Sequence, residues 1–248
     1  MPQPIRLRKA SPLRASCHQC SLSNLCLPLA VEESELDRLE DIMEQGRIFN
    51  RGEHIFDQST PYRSCFAVRS GAVKTSIVSE NGEEQVTGFF MPGELVGLDS
   101  MGSEHYACTA RALERSSVCE FPVNRLEELT SKMPNLQHHM YNLMSQEIQG
   151  SHQLAMLLSK NTAEERVAAL LLSLSSRFQR RRMSGTNFSL PMARSDIANF
   201  LGLAVETVSR VFTRFQNQCI INARGREIEL LNVEALQMVT LEVARQNA

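Results

Sequence analysis

Arg194-Ser-Asp-Ile-Ala-Asn-Phe-Leu-Gly-Leu-Ala-Val-Glu-Thr-Val-Ser-Arg-Val-Phe-Thr-Arg-Phe215 places Ile197, Leu201, Leu203, Val208 and Val211 where two short crossed helices must touch. Ala198 supplies the small side chain at the crossing, and Gly202 the permissive backbone needed at the turn. Met192 to Phe215 is therefore expected to be a helix-turn-helix. In its second helix Val208, Val211, Phe212 and Phe215 form an inward stripe, while Glu206, Ser209, Arg210 and Thr213 recur at helical spacing on the outward face. Such an outward face is what a recognition helix lays in the major groove of DNA. Arg210 can donate two bonds to guanine O6 and N7, Glu206 can accept from cytosine N4 or adenine N6, and Ser209 offers a short polar contact. The bland reading of the same face is a solvated surface with Glu206 and Arg210 as an i,i+4 pair. Beyond it, Cys219 to Leu230 alternates about Arg224-Gly225 as a β-hairpin, a wing suited to the phosphate backbone, with Ile228 and Leu230 turned to the core.

Working upstream, Asn161 to Phe178 reads as a helix, with Thr162 as N-cap and Glu165 three residues on, the pattern of a capping box. Arg180 to Asn187 is polar and reads as a surface loop. Pro134 opens a longer helix, about Asn135 to Ser159, whose apolar residues are too numerous for one stripe. One of its faces is expected on the preceding domain and the other on a second copy of the chain. The residues assigned to that copy are Met140, Leu143, Met144, Ile148, Ser151, Ala155 and Leu158, with Ser151 interrupting the apolar series. A single central helix buried within a monomer is the alternative. His138 and His139 on this helix are expected to be exposed.

Between Ile48 and Pro122 the texture changes to short β-type runs, clearest at Cys65–Val68, Ala72–Val78, Gln85–Phe90 and Ser117–Phe121. Turn signals at Arg51-Gly52, Ser70-Gly71, Asn81-Gly82 and Pro92-Gly93 separate them, which predicts a small antiparallel barrel or jelly roll. Val31 to Gln45 reads as a short amphipathic helix ahead of it.

Cys17-His-Gln-Cys-Ser-Leu-Ser-Asn-Leu-Cys26 packs three cysteines into ten residues. Core packing does not explain that density. Soft thiolates on a short loop can wrap a zinc ion or hold an iron–sulfur cluster. Spacing leaves the fourth ligand open among Cys65, Cys108, Cys119, Cys219 and His18. The seven cysteines are an odd number, and no apolar run approaches a membrane span, so a reducing, cytoplasmic protein without a disulfide framework is expected. The basic start of the chain (Arg6, Arg8, Lys9, Arg14) leads into cysteines and not into an apolar signal core. Net charge is −2, which taken whole argues against nucleic acid. It divides unevenly: residues 161–248 carry 11 Lys+Arg against 8 Asp+Glu, the remainder 15 against 20, which permits a DNA-binding C-terminal part. No Ser-His-Asp or Cys-His arrangement, phosphate-binding Gly loop or convincing carboxylate pair is present, so an enzyme is not expected.

Taken together, Cys17-x2-Cys20-x5-Cys26, Gln85-Val-Thr-Gly-Phe89, Gly93-Glu-Leu-Val-Gly97, Val118-Cys-Glu120, Lys132-Met-Pro-Asn-Leu136, Leu157-Leu-Ser-Lys160 and Val205-Glu-Thr-Val-Ser-Arg210 resemble the CRP/FNR transcription regulators. More narrowly, nearly the whole chain resembles the oxygen-sensing FNR (fumarate and nitrate reduction) subgroup. The resemblance implies an α+β fold: a cysteine-rich cluster-binding arm (1–30), an N-terminal antiparallel β-barrel or jelly roll of the cyclic-nucleotide-binding kind (31–133), a long dimerisation helix (134–160) and a C-terminal winged helix-turn-helix (161–248). It implies a [4Fe-4S] cluster held by Cys17, Cys20, Cys26 and Cys119, lost stepwise to oxygen through [2Fe-2S], with Ser21 and Leu27 beside the ligands as possible tuners of that loss. It further implies a homodimeric activator of anaerobic genes on a TTGAT-N4-ATCAA type palindrome, read by Val205, Glu206, Ser209 and Arg210, and RNA polymerase contacts at Gly82, Glu83, Phe178, Ser184 and Phe188. Two departures stand out. Tyr106-Ala-Cys-Thr-Ala110 lacks the arginine that holds phosphate in the cyclic-nucleotide branch, so no cyclic nucleotide is expected. Ser151 stands where some oxygen-sensing relatives carry an acid on the dimer helix, which removes a like-charge repulsion between subunits. A zinc-stabilised or cluster-free regulator of the same family is the alternative reading, and an iron–sulfur enzyme or electron carrier a more distant one.

Overall fold

The computed structural model describes residues 16–246; the basic side chains at 6, 8, 9 and 14 lie outside the described residues. After the cysteine arm, a 3-10 turn at Glu33–Glu35 leads into helix α1 (Leu36–Ile42). The helix is shorter than its apolar pattern predicts: only Leu39 is buried, and from Glu44 the backbone pairs with a later strand instead. Strand pairing has overridden a weak local helical preference.

The barrel consists of β1 (Glu44–Phe49), β2 (His54–Phe56), β3 (Ser64–Ser70), β4 (Val73–Val78), β5 (Glu84–Phe90), β6 (Leu95–Val96), β7 (Thr109–Ala112) and β8 (Ser116–Pro122). They form two four-stranded antiparallel sheets, ordered β1-β8-β3-β6 and β2-β7-β4-β5. Their inner faces enclose an aromatic core in which Phe56 and Tyr106 stack with centroids 3.9 Å apart and Phe66 lies against Phe56 at 5.7 Å. The expected jelly roll is thus present. The expected runs fall on β3, β4, β5 and β8, with Ala72 one residue ahead of β4, whereas β2, β6 and β7 are too short for alternation to announce them.

Helix α2 (Val123–Lys132), not anticipated from the sequence, buries Leu126 and Leu129 on the barrel and leads through Met133 into α3 (Pro134–Lys160). Pro134 occupies the first turn, where its missing N–H costs nothing. Leu136 and Met140 are buried against the barrel end; further along, Ile148 (57% exposed) and Met156 (61%) face outward. Met140, expected on the intersubunit face, belongs instead to the barrel core at 3% exposure. His139 also departs from expectation: it is half-buried, with Nε2 unpartnered, and burial lowers its pKa.

The C-terminal half contains α4 (Ala163–Arg180), β9 (Asn187–Ser189), α5 (Arg194–Phe200), α6 (Val205–Asn217), β10 (Ile221–Arg224), β11 (Glu227–Leu230) and α7 (Val233–Gln246). The capping box forms as read: Thr162 Oγ1 accepts from Glu165 N–H, and Glu165 Oε2 from Thr162 N–H. Strand β9 joins the wing hairpin in a three-stranded sheet ordered β10-β11-β9. Ile228 and Leu230 are buried as expected, and Cys219, one of the candidates for a fourth ligand, is exposed just past the end of α6 with a positive φ of 56°.

Three expectations for residues 178–188 fail together. Phe178 and Phe188 stack on each other in the core, centroids 4.9 Å apart, and neither is available to a partner protein. Arg181 is no solvated edge, because its side chain is only 5% exposed and is bound to a carboxylate of the barrel.

Candidate metal centre and nucleic-acid interface

The cysteine arm winds through tight turns closed by its own backbone: Cys20 N–H donates to Cys17 O at 3.2 Å, Ser23 N–H to Cys20 O at 3.2 Å and Cys26 N–H to Leu22 O at 3.1 Å. A 3-10 turn at Leu27–Ala30 follows, with Leu27 fully buried. These turns set Cys17, Cys20 and Cys26 around a cavity of about 30 Å³ whose far wall is β8 and β3, and Cys119 of β8 lines the same cavity. The four thiols assigned by resemblance are therefore neighbours. Cys65 and Cys108 are buried elsewhere, the latter donating to Asp99 Oδ2 at 3.2 Å, and His18 points to Asp37 at 3.0 Å.

Burial, reinforced by the neighbouring thiols, pushes Cys17 up to about 12 and Cys119 up to about 11, and burial also raises Cys26. Arg69, the one charged residue lining the cavity among the described residues, works against the shift at Cys17 and Cys119. Unaided, these thiols hold their protons. Bound iron or zinc would displace them, since metals take thiolates. Among the described residues no group of three or more His, Cys, Asp or Glu side chains is arranged to hold a single metal ion. The fit rests on the donor set: four soft sulfurs, no carboxylate or imidazole on the cavity wall among the described residues, and apolar Met43, Ala67 and Phe121 behind them.

In the C-terminal half, α5 and α6 cross as a helix-turn-helix. Asp196 caps α5 by accepting from Ala193 N–H at 3.0 Å, and Gly202 turns the chain at φ 60°. Val208, Val211, Phe212 and Phe215 are buried, while Glu206, Ser209, Arg210 and Thr213 are exposed and Val205 is 40% exposed. Arg210 donates to Thr207 Oγ1 at 3.2 Å, so its guanidinium is partly oriented along the helix before any base is met. Arg194 lies 3.6 Å above the Phe212 ring and reaches Gly225 O at 3.4 Å, tying the start of α5 to the recognition helix and the wing tip. Sequence reasoning left Arg194 without a role.

It also missed the joint between the halves. Glu94 binds both Arg177 of α4 and Arg181 just past its end, while Arg181 Nε donates to Pro92 O at 2.7 Å. Lys74 Nζ bridges Asp196 at 2.9 Å and Glu84 at 3.2 Å. Asn199 caps the free edge of β5, accepting from Val86 N–H at 2.5 Å and donating to Glu84 O at 2.7 Å. The partners drawn from opposite halves lie 83 to 122 residues apart along the chain, and no local pattern announces them.

The barrel at residues 47–133 matches the cyclic nucleotide-binding domain model, and residues 165–239 match the Crp-like helix-turn-helix domain model. The chain is 51% identical to the transcriptional activator protein FnrA of Stutzerimonas stutzeri, over 88% of this chain and 90% of that one. It is 50% identical to the transcriptional activator protein anr of Pseudomonas aeruginosa, with the same coverage. To the fumarate and nitrate reduction regulatory protein of Salmonella typhimurium it is 45% identical, over 89% and 88%. Among solved structures it is similar to FixK2 from Bradyrhizobium japonicum at TM-score 0.73 and 28% identity, covering 79% of this chain and 96% of that one. The chain belongs to the CRP/FNR family, as a transcriptional activator of the FNR/Anr type: a DNA-binding regulator and not an enzyme. No described helix is long and apolar enough to cross a membrane.

For the DNA interface, Arg210→Ala is expected to weaken operator binding by about 1–3 kcal/mol and to relax selectivity at one base pair. Quantitative footprinting on operator variants checks this; unchanged affinity and selectivity would remove Arg210 from the readers.

Proposed function

We propose that this regulator senses oxygen through a [4Fe-4S] cluster held by Cys17, Cys20, Cys26 and Cys119. The observation carrying the proposal is that these four of the seven cysteines line one apolar cavity between arm and barrel. When bound, the cluster supplies an oxygen-labile iron–sulfur core whose presence pins the arm to β8. The chain's own residues do the rest. Arg69 offsets the negative charge of thiolates gathered in a low-dielectric wall, and Leu27 anchors the arm beneath the start of α3.

The reading continues through α3. Its exposed Ile148 and Met156, with Leu143, Met144, Ser151, Ala155 and Leu158 alongside, form a surface suited to a second copy of the chain. A homodimer sets two α6 helices on the half-sites of a TTGAT-N4-ATCAA type palindrome; a lone subunit forfeits half the contacts. A few kcal/mol of bias toward the paired state changes occupancy by orders of magnitude, since each 1.4 kcal/mol or so is tenfold. Exposed Gly82 and Glu83 at the β4–β5 turn, and exposed Ser184, remain available to RNA polymerase; Phe178 and Phe188 do not. A cyclic nucleotide is not the signal in this reading. Between Tyr106 and Ala110 no cation awaits a phosphate, Cys108 faces the Asp99 carboxylate, and the barrel interior is filled by the Phe56–Tyr106 stack. Seven free cysteines suit the reducing cytoplasm.

Protein purified without oxygen is expected to be brown and to contain roughly four irons and four sulfides per chain. Air should remove them together with dimerisation and operator affinity, followed by sedimentation and DNA titration. A colourless protein holding zinc, or operator affinity indifferent to air, would overturn the proposal.

A further inference from the structure

A loop carrying one buried and two half-buried thiols has to be held over its cavity by something other than the thiols if it is to be folded before a cofactor arrives. The downstream end is held by apolar contact: Leu27 is fully buried, and Leu25 lies so close to Gly93 that a Cβ there would come within 2.8 Å of it. The upstream end is held by one carboxylate. Glu40 Oε1, in the last turn of α1, accepts from Ser16 Oγ at 2.8 Å, from the Cys17 backbone N–H and from the His18 backbone N–H at 3.1 Å. One turn earlier on the same helix, Asp37 meets the His18 ring at 3.0 Å.

Those backbone donors open the Cys17–Cys20 turn, where no carbonyl within the turn can reach them. A side-chain carboxylate satisfying them does for this turn what an N-cap does for a helix. The helix presenting Glu40 is itself fixed, since Leu39 is fully buried in the same apolar cluster as Cys17, Leu27 and Leu126. The His18–Asp37 pair is exposed on both sides, 36% and 84%, and holds little.

We infer that Glu40 is a positioning residue for the cysteine arm: three hydrogen bonds accepted by its carboxylate hold the Cys17 turn over the cavity in the metal-free protein, so that a cofactor closes onto a preformed loop. Which cofactor arrives rests on the reading under Proposed function; the anchor itself does not.

The test uses the full metal-free chain and per-cysteine alkylation by N-ethylmaleimide, read by mass spectrometry. In Glu40→Ala, Cys17 should react about tenfold faster than in wild type, the size expected when charge-assisted hydrogen bonds are lost. Glu40→Gln keeps an acceptor oxygen and should recover part of the protection; Asp37→Asn should resemble wild type. Cys65, fully buried in the barrel, reports on the fold and should not change. If Cys65 also reacts faster in Glu40→Ala, the comparison moves to Glu40→Gln, where acceleration confined to Cys17 supports the anchor and none overturns it. Iron and sulfide uptake should slow in Glu40→Ala by a similar factor. A Cys17 rate unchanged in Glu40→Ala overturns the inference whatever the wild type binds. Wild type that takes up no iron, with Cys17 still unmasked in Glu40→Ala, leaves the anchor standing and removes the cluster.

Discussion

Cys119→Ala protein, purified without oxygen, is expected to carry essentially no iron or sulfide and to bind the operator no better than aerated wild type. Cys65→Ala should retain the full complement. The contrast follows from where β8 and β3 put the two thiols. Cys119 pairs with Ala67 across the sheet, half-exposed, with its side chain on the cavity that Cys17, Cys20 and Cys26 line. Truncating it removes a donor at little packing cost, and four-sulfur ligation leaves no spare. Cys65 is fully buried beside Leu126 and Phe121 and lines no part of the cavity. Its loss should cost on the order of 1 kcal/mol of stability from the small void left behind. Iron and sulfide assays on both variants decide the matter, and the reverse pattern would reassign the fourth ligand.

Glu94→Ala is expected to be the most destabilising single change at the joint between barrel and DNA-binding domain, by about 3–5 kcal/mol, because it strands two buried guanidiniums. Arg177 and Arg181 are 15% and 5% exposed, and Glu94 binds both. What remains to them is Phe89 O, Pro92 O and Arg177 O, none of which carries a compensating charge. Urea unfolding at neutral pH measures the loss; a change under 1 kcal/mol would show the clamp to be ornamental. Acid should produce the same weakening in wild type. Burial alone would raise the Glu94 pKa, but Arg177 and Arg181 outweigh it and hold the carboxyl below its usual value. The folded-state pKa is thus lower than the unfolded one. The stabilisation is present above the ordinary carboxylate range and disappears as pH falls through the depressed value, a loss that Glu94→Ala should no longer show.

The parts of this molecule readable from sequence are those whose partners lie within a few residues. Gly202, the stripe Val208-Val211-Phe212-Phe215 and the Thr162–Glu165 box are local patterns, and all three are as expected. The longer strands β3, β4, β5 and β8 were legible; β1, whose first residues read as the end of a helix, and β6, of two residues, were not. Misreadings arose where distant contacts decide. Met140 looks interchangeable with Met144 in a helical pattern, yet the barrel end covers one and leaves the other half-exposed. Phe178 and Phe188 sit in polar surroundings along the chain and are brought face to face only when β9 pairs with the wing. Arg181 reads as one of three arginines on a loop until Glu94, 87 residues earlier, is folded beside it. The cysteine arm shows both sides. Three thiols in ten residues announce soft ligation, but only resemblance named Cys119, and nothing in the local pattern points to Glu40.

Val86, Phe89 and Met91 of the barrel lie in one unbroken apolar cluster with Leu171, Phe178, Ile197 and Phe212 of the helix-turn-helix half. Cutting the chain between Lys160 and Asn161 would therefore bare greasy surface on both fragments. A severed reading head would be prone to aggregate, and the intact chain should melt in a single cooperative step, its two halves failing at one temperature.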